Sequence, residues 1–283
     1  MKNAVILGTF DGVHSGHRAV IDNAKGYDIT AVSFKIPPRA CIEGTAELLM
    51  TPDDRVNALY GCGVKNAVFL DFAEVKNIKA EDFLVKIKEK YAPSLICCGY
   101  NYRFGKDARG DVKMLGEFCG DNGIILKVAD CVFKDGEAVS STRIRQAVKS
   151  GDIEFANACL FEKFGFKAEV FRGDRRGRTI GFPTVNQLYP DLLIRPPFGV
   201  YESEIAIDGI LYRGVTNLGI RPTYKTDYVS CETHIISYSG NAYGKSADLR
   251  LCRFIRPEQK FDSLEMLKNA IDADVQSVCK SIL

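Results

Sequence analysis

The passage from Ala4 to Ala24 constrains the fold more than any other part of the chain. A short apolar segment, Ala4-Val5-Ile6-Leu7, runs through Gly8-Thr9-Phe10-Asp11-Gly12-Val13-His14-Ser15-Gly16-His17 into a helix-like stretch from Arg18. A strand feeding a helix through a glycine-rich turn belongs to a doubly wound α/β layer, and the turn lies where such sheets bind ligands. Gly8, Gly12 and Gly16 let the backbone approach a ligand without side chains in the way. The helix N-terminus offers unpaired N–H groups and partial positive charge to a phosphate. His14 and His17 are three apart, share a helix face, and can donate hydrogen bonds to phosphate oxygens as charge develops. Two of the chain's three histidines fall in this turn, which favours a phosphate site over a tight turn with surface imidazoles. Neither has to be a base, since transfer of a phosphoryl or nucleotidyl group depends mainly on positioning and charge neutralisation.

To about residue 150 strand and helix patterns alternate. Tyr27 to Phe34 reads as a strand, and Thr51-Pro52-Asp53-Asp54 as a helix start with a threonine cap, a first-position proline and acids in the first turn. Asn66 to Leu70, Leu95 to Cys98 and Ile124 to Val128 read as strands, Glu81 to Tyr91 and Asp111 to Cys119 as helices. This alternation predicts a parallel sheet with ligands at the carboxyl ends of its strands. Two more stretches there carry chemistry: the loop Gly99 to Gly105 with Asn101, and Val139-Ser140-Ser141-Thr142-Arg143-Ile144-Arg145. A serine at a helix start is explained as a cap, but an arginine on the first turn adds the makings of a second anion site. A further helix, Asp152 to Leu160, closes this half.

From Phe166 strands dominate. Val200 to Ile207 and Ile210 to Val215 flank Asp208-Gly209, a strong hairpin signal. Glu232 to Ile236 and Leu249 to Phe254 read as further strands. Leu264 to Ile282 reads as a helix with Leu264, Leu267, Ile271, Val275, Val278 and Ile282 on one stripe. The expectation is a mainly antiparallel β-barrel with a C-terminal helix, and domains of residues 1–162 and 163–283. The loop Gly173 to Asn186, with Arg175, Arg176 and Arg178 among its glycines, suits a cover over phosphates. Thr184 and Asn186 alternate in an extended segment, so their oxygens face one way as hard ligands suited to Mg²⁺.

Composition narrows the classes. The 283 residues are 46% apolar with a formal net charge of +2, which demands no nucleic-acid partner. No run approaches the roughly 18 apolar residues of a membrane span. The ten cysteines are scattered without C-x-x-C spacing, which points to reduced thiols in a cytoplasmic protein rather than disulfides or zinc. No G-x-x-x-x-G-K-[ST] occurs, and Gly61-Cys62-Gly63 lacks the third glycine of a dinucleotide fingerprint.

The string at Gly8 to His17 resembles the FAD synthetase module of bacterial bifunctional riboflavin kinase/FAD synthetases, within the Rossmann-like nucleotidylyltransferase superfamily. The Val139 to Arg145 string resembles the superfamily's second ATP motif, I-S-S-T-x-I-R. The resemblance implies ATP and phosphate contacts from Gly8, Phe10, Asp11, Gly12, Asn101, Ser141, Thr142 and Arg145, with His14 and His17 catalytic. Gly177-Arg178 to Asn186 resembles the G-R-x-x-G-F-P-T-A-N motif of riboflavin kinases, with Val185 for alanine. Val215 to Tyr224 and Glu232-Thr233-His234 follow in the family's order. Here it implies Glu232 as catalytic carboxylate, Gly177, Arg178, Gly181, Pro183 and Arg221 at ATP or flavin, and Thr184 and Asn186 on Mg²⁺. One departure is Ile36-Pro37-Pro38-Arg39, where the family often shows P-H-P-R; another is Ser237-Tyr238, where an acid and an aromatic residue are usual.

The expected partners are riboflavin, FMN, FAD and ATP, with weak self-association and no nucleic acid or membrane. ATP is a co-substrate and no resident redox cofactor is expected, flavin being product. The competing readings are a flavin-binding protein with an active kinase half alone, and a nucleotidylyltransferase or tRNA synthetase relative acting on another substrate. No K-M-S-K-S-like loop supports the last.

Overall fold

The computed structural model describes residues 2–44, 47–173, 181–221 and 228–280, with residues 39, 42 and 43 described by backbone alone. Two compact units divide the chain: residues 1–144 with 159–162, and residues 145–158 with 163–283.

The first unit holds β1 (Asn3–Leu7), α1 (Ser15–Asp22), β2 (Asp28–Phe34), α2 (Pro38–Glu43), α3 (Pro52–Gly61), β3 (Asn66–Leu70), α4 (Phe72–Val75) and α5 (Ala80–Tyr91). It continues through β4 (Leu95–Gly99), α6 (Val112–Asp121), β5 (Ile125–Ala129) and the two-residue pairing of β6 (Phe133–Lys134) with β7 (Glu137–Ala138). The helix α7 (Ser141–Ser150) then crosses from one unit to the other. The sheet is parallel in the order β3-β2-β1-β4-β5. From β1 the chain winds outward to β3, then returns to place β4 on the other flank of β1. Strand order reverses there, so the crevice beyond the carboxyl ends of β1 and β4 is where this architecture takes a ligand.

Period-two alternation builds the core on both faces of the sheet. Ala4, Ile6, Leu95 and Cys97 join one buried cluster with Val20 and Ile21 of α1. Val5, Leu7, Ile96 and Cys98 join the other with Phe83, Leu84 and Ile87 of α5 and Leu115 of α6. Strands buried on both faces read as unbroken apolar runs, as β1 and β4 do. Thr51 caps α3 by accepting from the Asp54 N–H at 3.2 Å, and Asp111 caps α6 by accepting from the Met114 N–H at 3.0 Å.

The second unit contains most of α8 (Ile153–Cys159), then β8 (Gly165–Glu169), β9 (Thr184–Leu188), β10 (Gly199–Ile207), β11 (Ile210–Arg221), β12 (Tyr228–Ile235), β13 (Ser246–Pro257) and α9 (Leu264–Lys280). Its strands pair antiparallel in the order β8-β13-β10-β11-β12-β9. The two edges meet just beyond β8, where the Phe171 N–H donates to the Asn186 carbonyl at 2.9 Å, leaving a nearly closed barrel. Gln187 at its centre donates its amide to the carbonyls of Ala168 and Ala247. The hydroxyls of Ser203, Thr216 and Thr233 form a buried chain with spacings of 2.7 and 2.8 Å.

The last helix departs from its expected stripe. Val278 is fully buried against Val200 and Val215, with Val275 partly buried beside it. Leu264 is 70% exposed, and Leu267 and Ile271 are half-buried, because that end of α9 borders a cavity. Ile282 lies outside the described residues.

Candidate active sites

In the first unit the turn after β1 is strained and held from several sides. Phe10 and Val13 have φ of +49° and +41° although neither is glycine, and both are fully buried. Such angles cost energy and persist where the surroundings enforce them. Gly12 has φ +87°, and a Cβ there would lie 2.9 Å from Leu160 Cδ2 and 3.0 Å from Leu49 Cδ1. The Asp11 carboxylate, 1% exposed, accepts from the Leu49 and Met50 N–H groups at 3.0 and 3.3 Å. The Thr9 carbonyl accepts from Ser33 Oγ at 2.8 Å and from Arg55 Nη1 at 3.1 Å. Asp11 is thus a brace of the turn, with its carboxylate on backbone N–H groups.

This bracing delivers two imidazoles. His14 caps α1, its Nδ1 accepting from the His17 N–H at 3.4 Å, which leaves Nε2 as the proton-bearing atom of the neutral ring. The rings of His14 and His17 stack with centroids 3.7 Å apart, and Phe10 packs edge-on to His17 at 5.3 Å. A cavity of about 340 Å³ opens over them at the switch point. Gly8, Phe10, His14, His17, Asn101 and Ser141 all line it, as does Pro38 from the departing Ile36-Pro37-Pro38-Arg39 segment.

The second motif separates into distinct parts. Ser140 takes the capping task, its Oγ accepting from the Arg143 N–H at 3.3 Å. That leaves the Ser141 hydroxyl to donate to the Asp11 carbonyl at 3.0 Å, joining the motif to the turn. Thr142 does not line the cavity, and Arg145, one helical turn past Ser141, belongs to the second unit.

In the second unit alternation sends neighbouring residues to opposite sides of the barrel wall. Thr233 and Val185 pair on the interior side, while Glu232 pairs across to Asn186 on one flank and Asn217 on the other. Thr184 pairs with His234 on the same face, two residues along. Thr184, Glu232, His234 and Asn217 line one wall of a cavity of about 520 Å³; Val200, Val215, Phe261, Leu264, Leu267 and Ile271 supply the apolar surface.

Arg221, one strand over, donates from Nε to Glu232 Oε1 at 2.6 Å and also bonds it through Nη2. His234 lies 2.9 Å through Nδ1 from the Pro183 carbonyl, which can only accept, so Nδ1 carries the proton. Asn217 donates to Glu258 at 3.0 Å, and Arg256 forks onto Asp274 of α9 at 2.8 and 3.1 Å, tying the helix to the wall.

Asn186 is 3% exposed, and its Oδ1 is a buried acceptor with no protein donor among the described residues. A Cβ on Gly173 would come within 2.6 Å of its amide, so the backbone there passes directly over Asn186. Gly181 has φ +89° and Pro183 borders a smaller neighbouring cavity of about 290 Å³. Gly177 and Arg178 lie outside the described residues, as do Pro222, Thr223 and Tyr224. Among the described residues no group of three or more His, Cys, Asp or Glu could hold a metal. No helix among the described residues is long and apolar enough to cross a membrane.

Arg55, Asn217 and Glu258 were not expected at either site. Asn217 sits in a matched string, but nothing in the sequence distinguishes Arg55 from a surface residue of a well-capped helix.

The FAD synthetase family model matches residues 1–143 and the riboflavin kinase model matches residues 160–282. The chain is 30% identical to a bifunctional riboflavin kinase/FMN adenylyltransferase of Bacillus subtilis, over 99% of this chain and 92% of that one. It is 31% identical to the protein of the same name from Mycoplasma pneumoniae, over 99% and 97% respectively. A solved structure described as a macrolide-efflux protein from Streptococcus pneumoniae superposes with a TM-score of 0.89 at 27% identity, covering 98% of this chain and 93% of that one. With both family models matched in order, and relatives at this identity aligned along almost their whole length, the chain belongs to the bifunctional riboflavin kinase/FMN adenylyltransferase family.

Proposed function

We propose that the barrel unit phosphorylates riboflavin to FMN and that the parallel-sheet unit adenylylates FMN to FAD, each using ATP. The observation that carries this reading is the pair of unlike cavities. One is lined by stacked histidines at a helix N-terminus; the other sets a carboxylate in register with two amides beneath an apolar wall. The functional division is residues 1–162 and 163–283.

In the kinase step the ribityl 5′-hydroxyl oxygen forms a bond to the γ-phosphorus of ATP. The bond from that phosphorus to the β–γ bridging oxygen breaks, ADP leaves, and Glu232 accepts the hydroxyl proton. Arg221 orients the carboxylate, and the apolar residues of β10, β11 and α9 take the flavin ring. Thr184 and Asn186 would hold Mg²⁺; the unpartnered buried Oδ1 of Asn186 fits that ion's preference for oxygen ligands. When bound, the ion neutralises charge on the phosphates. Gly177, Arg178, Gly181 and Pro183 cover the nucleotide.

In the adenylyl step an FMN phosphate oxygen attacks the α-phosphorus of ATP and pyrophosphate leaves. His14 and His17 donate hydrogen bonds to the phosphate oxygens, the backbone of Gly8 to Gly12 admits the triphosphate, and Asn101 and Ser141, which line the same cavity, complete its contacts. The protein is cytoplasmic, binds neither nucleic acid nor membrane, and releases its flavin as product.

The test is a time course with riboflavin, ATP and Mg²⁺, separating flavins by chromatography. FMN should rise first and FAD follow. FMN without FAD would restrict activity to the barrel, and no product would contradict the assignment.

A further inference from the structure

Arg55 heads the fully buried side chains by size among the described residues, at 0% exposure, and takes no part in either proposed reaction. An arginine so placed is unfavourable unless its charge is answered by hydrogen bonds. Its two terminal nitrogens donate to the carbonyls of Thr9 at 3.1 Å and Lys35 at 2.5 Å. These residues lie just beyond the carboxyl ends of β1 and β2, neighbouring strands of the sheet. The guanidinium also lies over the Phe69 ring, 5.0 Å from its centroid. Burial lowers its pKa while the Asp11 charge opposes that.

The arrangement is reciprocal. Asp11, from the turn, binds the N–H groups of Leu49 and Met50 at the entry to α3. Arg55, on the first turns of α3, reaches back to the Thr9 carbonyl, immediately before Phe10 with its φ of +49°. Ser33 Oγ donates to that same carbonyl, so both of its lone-pair directions are taken. The unusual backbone of the turn is therefore clamped from below by a group that never reaches the cavity.

We infer that Arg55 is a positioning residue for adenylyl transfer, holding the turn in the shape that receives the triphosphate of ATP. The inference rests on the reading of that turn as the triphosphate site. The planar fork is essential, because it grips two carbonyls at once; a lysine keeps the charge but lacks that geometry.

The test is steady-state kinetics of both activities in full-length Arg55→Lys, Ser33→Ala and His17→Ala proteins. For FMN adenylylation, Arg55→Lys should raise the KM for ATP about tenfold and leave the KM for FMN within about twofold. Ser33→Ala, which removes one of two donors to Thr9, should raise the KM for ATP about threefold. The KM for ATP in FMN formation should not move in either. A merely structural Arg55 would lower kcat with the folded fraction and shift no KM, which would overturn the inference. If His17→Ala impairs adenylylation while Arg55→Lys and Ser33→Ala leave its KM for ATP unchanged, the Arg55 inference alone fails. If His17→Ala also leaves adenylylation unaltered, the triphosphate site itself is misplaced and the inference falls with it.

Discussion

The two candidate sites are built in opposite ways. In the parallel-sheet unit the backbone makes the candidate site: two non-glycine residues held at positive φ, a helix N-terminus and a glycine at φ +87°. Its supports, Asp11, Ser33 and Arg55, are side chains hydrogen-bonded to main-chain groups. In the barrel the backbone is ordinary strand, and the site is a row of side chains, Asn186, Glu232 and Asn217, placed by register alone. A site made of strained backbone is exposed to change in residues that never touch substrate. A site made of strand register is exposed mainly to change in the residues themselves.

The sharpest way to break that contrast is at the carboxylate. Glu232→Gln keeps shape and register, so it should cut FMN formation by about 10²–10⁴-fold, the range for losing a general base, with adenylylation of supplied FMN unchanged. Equal loss of both activities in a folded protein would abolish the separation. Next in size, Asn186→Ala should raise the Mg²⁺ concentration needed for half-maximal kinase rate by on the order of 10–100-fold, read by titrating the metal. An unchanged metal dependence would remove Asn186 from the ligand set.

Thr51→Ala probes the support of the turn rather than the site. It removes the cap of α3 and a 2.8 Å bond to Asp54, and should cost about 1 kcal/mol, seen as a thermal transition lowered by a few degrees. FMN formation should be untouched. The smallest effect concerns thiols. Burial pushes Cys97 up to about 11 and Cys98 up to about 12, the latter helped by the neighbouring Cys97 and Cys119. At pH 8 both stay protonated and unreactive, so alkylation mapped by mass spectrometry should mark the exposed Cys41 and Cys279 first.

The sequence carried most of the fold because its signals were local and mutually consistent. Asn66–Leu70 is a strand with the expected ends, Thr51 caps its helix, and Asp208-Gly209 joins β10 to β11. The short elements α2, α4, β6 and β7 escaped because a few residues carry no periodicity. The stripe on α9 overstated its burial, since apolar spacing is the same whether a helix packs flush or walls a cavity.

At the candidate sites, the structure stacks His14 on His17 and sets Glu232 opposite Asn186, juxtapositions the motifs made legible because spacing within a turn or strand determines which side chains share a face. Their supports were illegible. Arg55 bonds a carbonyl 46 residues away, and that carbonyl lies near its second acceptor, Lys35, because β1 and β2 pair. The same limit applied to Asp11, whose carboxylate faces Leu49 and Met50.

The central claim, that the two sites are complete and separable, is tested most directly by mixing two defective proteins. Glu232→Gln and His17→Ala proteins, each incubated alone with riboflavin, ATP and Mg²⁺, should form no appreciable FAD, the first stalling at riboflavin and the second at FMN. Mixed together, they should form FAD, FMN from one serving as substrate for the other. If the mixture accumulates none while both proteins remain folded, the two activities do not reside in separable sites and the account is wrong.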